Sequence, residues 1–583
     1  MPTLEWIGKS KVINHHQDVP FRVLERKYSF DENGQHDEDN GSENMIIRGD
    51  NLEALKALLP RYEGRVKCIY IDPPYNTGNE GWVYNDNVND PKIKKWLGEV
   101  VGKEGEDLTR HDKWLCMMYP RLKLLQKLLA DDGVIFISID DTEYANLKLI
   151  CDEIFGSNCF VSNISWQRTY STRNDSKGIV NEVEHLVVYS KLPDWNPNKL
   201  PRTAEMDAKY KNPDNDIMPW TSSDAFAPGA ATHQGMVYAI QHPFTGKLLY
   251  PYNGACWRYQ QDAMLEYMSG WTKYELREID DAEKRAEICG VSEKEIRSGV
   301  MGILLADTLD IAKENASKIL RRGQWPRFYF TNGGKGGIRR KTYIDSVEGK
   351  PPTNYWPYAD VGHTDEAAKI VKAIFGGKAT FDTPKPPRLI ERILQIAGDN
   401  NTLILDSFAG SGTTAHAVLN MNKADGGHRK FILVEMMDYA DSITAERVKR
   451  VIRGYGEGKN AVEGTGGNFS FYDLGEPLMI GDVLNENVGI EKIREYVYFT
   501  DTKASLPESH PDEPYFMGVH IGSAYYFYYE KQAVTTLNRE FLHTVKTKAD
   551  SYVIYADLCT LSEAELEKYH ITFKKIPRDI TKL

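Results

Sequence analysis

The chain has 583 residues, of which 41% are hydrophobic and 27% are charged, and its formal net charge is −12. A single core stops growing near ~250–300 residues, so this length excludes a one-domain protein. No apolar run approaches the ~20 residues of a transmembrane helix, and the first residues do not resemble a secretory signal. We therefore expect a cytoplasmic protein of several domains, with reduced cysteines and no metal site.

Short apolar strands alternate with amphipathic helices in the first third of the chain. The polar, acidic stretch 31–44 predicts an exposed loop at the end of an N-terminal extension. Continuous apolar strands that alternate with helices predict a parallel sheet with helices on both faces. Strands are predicted at 45–47, 66–71, 133–139, 160–166 and 185–189, and helices at 51–59, 117–130 and 147–155.

The alternation stops at about residue 192, where Pro, Asn, Gly, Trp and Tyr become frequent, and it resumes near residue 370. A helix is then predicted at 388–397 and strands at 402–406 and 430–435. An insert of this length is too long for a loop in a compact domain, so it predicts a separate module. The expected domains are an N-terminal extension (1–44), a split α/β domain (45–191 and 361–455), the insert (192–360) and a C-terminal α+β domain (468–583).

A glycine-rich motif, D-S-F-A-G-S-G-T-T at 406–414, follows a predicted strand and opens a helix. Parallel sheets bind nucleotide-like ligands at this position, and Gly410 and Gly412 allow a tight turn that approaches a ligand closely. No G-K-S or G-K-T follows, which disfavours a phosphate-binding P-loop. The next strand ends in Glu435, an acid suited to ribose hydroxyls. The combination predicts an adenosine ligand.

The second motif, I-D-P-P-Y-N-T-G at 71–78, directly follows another predicted strand. Pro73 and Pro74 have no backbone N–H, so their carbonyls and the Asp72 carboxylate can only accept hydrogen bonds. Such groups suit a substrate amino group, whose lone pair they would aim at an electrophile. Tyr75 supplies a ring for stacking an extruded base, worth ~1–3 kcal/mol. The alternative interpretation is a rigid turn capped by Asp72.

Together, D-P-P-Y and F-A-G-S-G resemble the amino-methyltransferases of DNA, and the order of the motifs, with the catalytic one first, resembles their β class. Three further segments match: G-D-N-L at 49–52, D-D-G-V-I-F-I-S-I-D-D at 131–141 and F-D-T-P-K-P at 381–386. Within this class the chain resembles the modification subunit of Type III restriction–modification systems. That similarity rests on the length, the D-P-P-Y-N-T-G form, I-R-E-Y-V-Y-F-T at 493–500 and F-K-K-I-P-R at 573–578.

The resemblance implies a Rossmann-like fold that binds S-adenosyl-L-methionine and methylates adenine N6. Asp50 would receive the cofactor's adenine amino group, and Glu435 would hold its ribose. Phe408 would either lie against the sulfonium, a cation–π contact worth ~0.5–2 kcal/mol, or pack in the core. The implied catalytic residues are Asp72, Pro73, Pro74 and Tyr75, and the other implied cofactor residues are Thr383, Lys385, Asp406, Gly410 and Gly412.

The insert is expected to recognise DNA. Residues 313–341 contain nine basic residues and one acid, and Trp325 and Tyr329 lie among them. The net negative charge does not exclude DNA, because phosphate contacts come from one face of a protein. A solvated helix face is the alternative for this basic run. The expected DNA contacts lie in a flexible basic loop and are Lys335, Arg339, Arg340 and Lys341.

The resemblance also implies partners: double-stranded DNA, from which the target adenine flips out, a second copy of the chain, and a restriction helicase–nuclease that the C-terminal domain would bind. Four alternatives stay open. The chain could methylate cytosine N4, act as a solitary or other phage-defence methyltransferase, methylate RNA or protein, or deliver a nuclease without catalysis.

Overall fold

The computed structural model describes residues 3–77, 95, 99, 109–170, 179–346, 348–507 and 512–578, so Gly78 of the second motif lies outside the described residues. The chain forms two compact units. The first consists of 1–198 together with 352–583, and the second of 199–351, inside the stretch expected to be an insert. Among the described residues, no helix is both long enough and apolar enough to cross a membrane.

One eleven-stranded sheet forms the centre of the first unit. Across the sheet the strands follow the order β8-β6-β7-β5-β4-β9-β10-β3-β11-β1-β2. In chain order they are β1 (Arg22–Asp31), β2 (Gly34–His36), β3 (Met45–Arg48), β4 (Val66–Ile71), β5 (Leu129–Ile139), β6 (Phe160–Gln167), β7 (Val183–Ser190), β8 (Tyr355–Trp356), β9 (Leu403–Asp406), β10 (Lys430–Glu435) and β11 (Phe469–Pro477).

The central strands are parallel: β5, β4, β9, β10, β3 and β11 run in one direction. Antiparallel pairing joins β5 to β7 and β7 to β6 on one side, and β11 to β1 and β1 to β2 on the other. The expected mostly parallel sheet is confirmed. Antiparallel strands at the edges of such a sheet are common, because these strands need not be buried on both faces.

Helices cover both faces of this sheet. On one face α1 (Asn51–Tyr62), α2 (Arg110–Leu128) and α3 (Tyr144–Phe155) share an apolar core with Ile69 and Ile71 of β4. The alternate residues Cys68 and Tyr70 are equally buried and point to the opposite face, as successive side chains of a strand do. The second group of helices is α4 (Thr364–Ile374), α5 (Pro387–Ala397), α6 (Thr413–Asp425) and α7 (Glu446–Arg453). On that opposite face α5 and α6 contact β4 and β10.

Two expected domain bounds differ from the structure. The expected N-terminal extension contains β1, and the expected C-terminal domain begins with β11; these two strands pair in the central sheet. Tyr28 stacks on Phe471 with ring centroids 5.1 Å apart, and Phe30 is 3% exposed. Arg26 and Lys27 interrupt the apolar pattern of β1, so its sequence does not display this burial.

The first unit also contains a four-stranded sheet near the C-terminus, with helices beside it. Strand Phe516–His520 is antiparallel to its neighbour, and the other pairings are parallel. The remaining strands are Ser523–Phe527, Ser551–Ala556 and Ile571–Lys575, and the helices are Ile490–Thr502 and Glu563–Lys568.

The second unit packs its aromatic side chains into its own core. Trp220, Trp257, Trp271 and Tyr329 are each at most 6% exposed. A four-stranded sheet contains Ile240–Gln241, Leu248–Leu249, Tyr274–Arg277 and Gly302–Leu305, and a three-stranded sheet contains Trp220–Asp224, Phe328–Phe330 and Ile338–Tyr343. The longer helices are Gln261–Ser269, Ala282–Cys289 and Leu309–Arg322.

Candidate active site

The two sequence motifs meet at the carboxyl ends of four neighbouring parallel strands, β4, β9, β10 and β3. Asp72 follows β4, Asp406 ends β9, Glu435 ends β10, and Asp50 lies two residues beyond β3. Ligands of open α/β sheets bind at this edge. Residues that are more than 300 positions apart in sequence therefore come together because β4 and β9 are adjacent.

The glycine-rich turn has the backbone conformation that its glycines predict. Gly410 and Gly412 have φ angles of 52° and 84°, and a Cβ on Gly412 would lie 3.1 Å from the Thr444 carbonyl oxygen. The Gly410 N–H donates to Glu435 Oε2 at 2.8 Å, and the Met437 N–H donates to Oε1 at 3.0 Å. Glu435 thus fixes the turn, and its oxygens already accept two backbone hydrogen bonds.

Asp406 supports the same turn from beneath. Its carboxylate accepts the Phe408 N–H at 3.0 Å and the Thr414 hydroxyl at 2.6 Å. Burial raises the pKa of Asp406 to about 7. The whole residue is 2% exposed, so Asp406 shapes the pocket through the backbone that it holds in place.

A pocket joins the two motifs. It extends from Asp72, after β4, to the glycine-rich turn. Its walls include Asp72, Thr383, Lys385, Phe408 and Gly410. Together with Asp406, six of the residues predicted for catalysis or cofactor binding thus line a single pocket.

Asp50 is the N-cap of α1. Its Oδ1 accepts the N–H groups of Leu52 and Glu53 at 2.8 and 3.2 Å. Its Oδ2 lies 3.4 Å from the buried guanidinium of Arg121. The side chain remains 31% exposed, so one oxygen of this carboxylate can reach a ligand.

The Asp72 carboxylate is bound by Lys385. The Lys385 ammonium donates to Oδ1 at 2.8 Å and to Oδ2 at 2.7 Å, and the two side chains are 11% and 7% exposed. Burial raises the pKa of Asp72, although Lys385 opposes this shift. Burial alone would lower the pKa of Lys385, but Asp72 and Glu184 raise it. The resemblance implied that Lys385 binds the cofactor; in the structure its ammonium binds the Asp72 carboxylate, which was predicted to be catalytic.

Tyr75 is 4% exposed, so in this conformation its ring is not open for stacking. Its hydroxyl lies 2.9 Å from Asp72 Oδ1 and 3.1 Å from Glu184 Oε2. The Lys385 ammonium lies 5.1 Å from the ring centroid. Any base that stacks on Tyr75 must therefore displace neighbouring side chains.

Glu184 and Arg168 are two residues of the site that the sequence motifs did not predict. Glu184, on β7, is 6% exposed and accepts a hydrogen bond from Arg168 Nη1 at 2.9 Å. Its Oε2 lies 3.7 Å from the Lys385 ammonium. An acid at the start of an apolar strand was the available signal, but its distance from Asp72 depends on the antiparallel pairing of β7 with β5.

The two prolines are held by a hydrogen bond from a helix. Trp114 of α2 is fully buried, and its Nε1 donates to the Pro74 carbonyl oxygen at 2.6 Å. The next residue, Asn76, has a φ of 59° and donates to the Arg110 carbonyl at 3.2 Å. Pro73 and Pro74 thus form a fixed turn, in which the Pro74 carbonyl is already occupied.

A buried arginine behind the glycine-rich turn was also missed. Arg447 of α7 is 0% exposed, and its Nη1 donates to the Ser411 and Thr413 hydroxyls at 2.6 and 2.8 Å. Burial lowers its pKa to about 9. Its hydroxyl partners line the pocket, so Arg447 acts on the pocket wall.

The prediction that Lys341 contacts DNA is wrong for this structure. Its side chain is 0% exposed, and its ammonium lies 2.5 Å from both Asp214 Oδ2 and Asp216 Oδ2. Two nearby carboxylates balance the buried charge, which leaves it unable to reach a phosphate. The expected flexible loop is also shorter than predicted, because 338–343 form a strand.

The other three predicted DNA contacts differ in accessibility. Lys335 is exposed, whereas Arg340 is half-buried. Arg339 is 41% exposed in its side chain and pairs with Asp224 at 2.7 Å. Lys335 is therefore the most accessible of the predicted contacts.

A family model for DNA methylases, N6_N4_Mtase, matches residues 66–499. The chain is 33% identical to the Mod subunit of the Type III restriction-modification enzyme StyLTI from Salmonella typhimurium, over 71% of this chain and 58% of that one. It is 29% identical to the EcoPI Mod subunit from Escherichia phage P1, over 74% and 63%. It is also 29% identical to the Type II methyltransferase M.KpnI from Klebsiella pneumoniae, over 68% and 81%. The matches span 58% and 63% of the two Type III relatives.

Proposed function

This chain belongs to the N6_N4_Mtase family of DNA methylases, and on that premise we propose that it transfers a methyl group from S-adenosyl-L-methionine to the N6 amino group of an adenine in duplex DNA. One observation carries the proposal. Asp72, the glycine-rich turn, Glu435 and Asp50 lie at the carboxyl ends of four adjacent strands and surround one edge of the sheet.

The residues at this edge fit the cofactor. The Gly410 backbone lines the pocket, and Gly412 allows the turn to pack against Thr444, where a Cβ would lie 3.1 Å from the carbonyl oxygen. Asp50 Oδ2, on a side chain that is 31% exposed, would accept a hydrogen bond from the amino group of an adenine ring, and Glu435 would accept hydrogen bonds from the ribose hydroxyls. Phe408, Thr383 and Lys385 line the pocket between the turn and Asp72. The cofactor would supply an electrophilic methyl group on a sulfonium that leaves as a neutral thioether.

The protein's own contribution is orientation. The Asp72 carboxylate and the Pro73 carbonyl would accept the hydrogens of the target amino group and direct its lone pair toward the methyl carbon. Asp72 and Pro73 would hold the amino nitrogen against the methyl group that the cofactor supplies, and that nitrogen would lose one proton to solvent after the transfer. Positioning of this kind, with placed acceptors, supplies most of such a rate enhancement.

Base flipping costs a few kcal/mol, and hydrogen bonds to Asp72 would offset part of this cost. Stacking on Tyr75 would add ~1–3 kcal/mol once its ring becomes accessible. The second unit, 199–351, is the proposed target-recognition module. Lys335 and Arg339 are its proposed phosphate contacts.

We further propose that the chain acts as the modification and recognition subunit of a Type III-like system, as a homodimer, with the C-terminal segment binding a restriction subunit. The identity to the StyLTI and EcoPI Mod subunits supports this assignment. The similarity to M.KpnI favours a second candidate, a methyltransferase that works without a Type III restriction subunit. Co-expression with a neighbouring helicase–nuclease gene and measurement of complex mass would separate the two.

The decisive test is methyl transfer by the purified chain. We expect tritium from labelled S-adenosylmethionine to enter duplex DNA and not RNA, and single-molecule sequencing of host DNA to show N6-methyladenine in one sequence context. Asp72→Ala should abolish incorporation while leaving cofactor binding largely intact. Labelling of RNA alone, of cytosine N4, or full activity of Asp72→Ala would overturn the proposal.

A further inference from the structure

Lys385 occupies the place that the proposed function gives to the target amino group. Its ammonium donates to both oxygens of Asp72 and lies 5.1 Å from the centroid of the Tyr75 ring. An amino group of a flipped base would need the same two contacts, one with the carboxylate and one with the ring. The structure therefore holds a cationic nitrogen where a neutral substrate nitrogen must bind.

The ammonium cannot simply leave. Lys385 is 7% exposed in its side chain, so solvent is a poor alternative partner. A buried charge that loses its partner without another one costs several kcal/mol. A second acceptor must lie within reach if Asp72 is to be freed.

Glu184 meets this requirement. Its Oε2 is already 3.7 Å from the ammonium, so a small movement converts this contact into a hydrogen bond. Its Oε1 is fixed by Arg168 at 2.9 Å, which keeps the other oxygen directed at Lys385 and Tyr75. The Glu184 side chain is 8% exposed, so water cannot take its place as the partner of the Lys385 ammonium.

We propose that Glu184 is a positioning residue that takes the Lys385 ammonium from Asp72 when the target amino group enters, so that Asp72 is freed at constant charge in the site. The inference rests on the proposed function. The transfer leaves two carboxylates, Asp72 and Glu184, with two cations, Lys385 and Arg168, before and after. The Tyr75 hydroxyl lies between both carboxylates and can turn from one to the other.

The test uses Glu184→Gln, which keeps the shape of the side chain and removes its charge. Lys385 then remains on Asp72, and the target amino group has to compete with it. We expect the single-turnover methylation rate to fall by about 10- to 100-fold. The dissociation constant for S-adenosylmethionine should stay within about twofold, because Glu184 does not line the cofactor pocket.

A binding measurement isolates the amino group itself. Two duplexes with the recognition sequence are compared with S-adenosylhomocysteine present, one with the target adenine and one with purine, which lacks the amino group. The ratio of their dissociation constants is measured for wild type and variant, so the cost of unpairing cancels. We expect Glu184→Gln to reduce the preference for adenine by about tenfold, and removal of the competing ammonium in the Lys385→Met/Glu184→Gln double variant to restore part of it.

Glu495→Gln is the matched control. Glu495 is 14% exposed and likewise contacts one arginine, Arg61, and one lysine, Lys492, away from the site. It should lose no adenine preference. If Glu184→Gln does not fold, Glu184→Asp keeps the charge, shortens the reach to Lys385 and should shift rate and preference in the same direction.

The outcomes distinguish a failure of the proposed function from a failure of the role given to Glu184. A wild-type chain that methylates no DNA overturns the proposed function and this inference with it. A wild-type chain that methylates DNA, together with a Glu184→Gln variant of unchanged adenine preference, overturns the inference alone. A variant whose loss of rate is matched by loss of cofactor affinity and thermal stability would make Glu184 a structural counter-ion, which also overturns it.

Discussion

The guanidinium of Arg447 donates a 2.6 Å hydrogen bond to the Ser411 hydroxyl between the two glycines of the cofactor turn. An arginine can only donate, so the Ser411 oxygen accepts and its own hydrogen points elsewhere. This contact sets the direction of a polar group in the wall of the pocket.

Arg447→Met should therefore weaken cofactor binding. The Ser411 and Thr413 hydroxyls would lose this donor, while Thr413 would keep its hydrogen bond to the Lys385 carbonyl oxygen. A loss of about 1.4 kcal/mol corresponds to a tenfold rise in the dissociation constant. Isothermal titration with S-adenosylmethionine measures this. Arg285→Met is the control, since Arg285 of the second unit is also buried and donates to backbone carbonyls. Equal affinities for Arg447→Met and wild type would contradict the role.

Trp114→Phe should slow catalysis without changing cofactor affinity. The substitution removes the 2.6 Å hydrogen bond to the Pro74 carbonyl, so the proline turn loses its contact with α2. A lost hydrogen bond of ~1 kcal/mol predicts a fall in kcat of about fivefold. Trp166→Phe, which removes a 3.0 Å bond to the Gly362 carbonyl, is the control and should keep its kcat. A parallel fall in both variants would count against a specific effect.

The stability of the first unit should depend on the protonation of Asp406. Its pKa is about 7 when folded, above the ordinary value of 3.8, so the folded chain binds more protons between these pH values. Stability is thus lost as pH rises from about 4 to 7. Asp406→Asn removes this loss and should gain about 2–4 kcal/mol relative to wild type between pH 5 and pH 8.

Thermal denaturation at the two pH values measures that gain. Asp425→Asn serves as the control, because a hydrogen bond from Arg429 lowers the pKa of Asp425 and the group stays ionised throughout this range. Its difference from wild type should not change with pH. If Asp406→Asn shows the same flat difference, the raised pKa of Asp406 is refuted.

Substitutions of Lys341 and Lys335 should affect two different properties, stability for Lys341 and DNA binding for Lys335. Lys341→Met leaves Asp214 and Asp216 without their buried cation and should cost about 3–5 kcal/mol of unfolding free energy. Lys335→Ala changes an exposed residue, so it should preserve stability and reduce the salt dependence of DNA affinity by about one unit of slope. Denaturant unfolding and fluorescence anisotropy at several salt concentrations test both. A stable Lys341→Met chain that binds DNA weakly would reverse the assignment.

Much of the fold followed from the sequence because its central strands are uniformly apolar. The strands predicted at 66–71 and 430–435 have these bounds in the structure, and the helix predicted at 388–397 begins one residue earlier. Strand β1 was missed because its charged residues mask the two aromatic side chains that it buries. The spacing of apolar residues indicates which face of an element is buried. A strand that mixes charged and apolar residues therefore gives little signal.

The site was predictable as a set of residues, but its contacts were not. The motifs identified Asp72 and Lys385 separately, and their ion pair spans 313 positions in sequence. Such a pair depends on strand order, which local pattern does not specify. The same limit applies to Lys341. Its charge predicted a surface position, but in the fold its ammonium is buried beside Asp214 and Asp216.

The adjacency of β4 and β9 has a consequence during protein synthesis. β4 ends at Ile71, whereas its neighbour β9 begins at Leu403, after the entire second unit. At about 5–20 residues per second, the ribosome needs roughly 20–70 seconds between the two. Throughout that interval an apolar strand, together with the nascent catalytic turn, has one edge without its partner. Protection of this edge during synthesis, by a chaperone or by slow release, should therefore influence the yield of folded chain more than the final stability does.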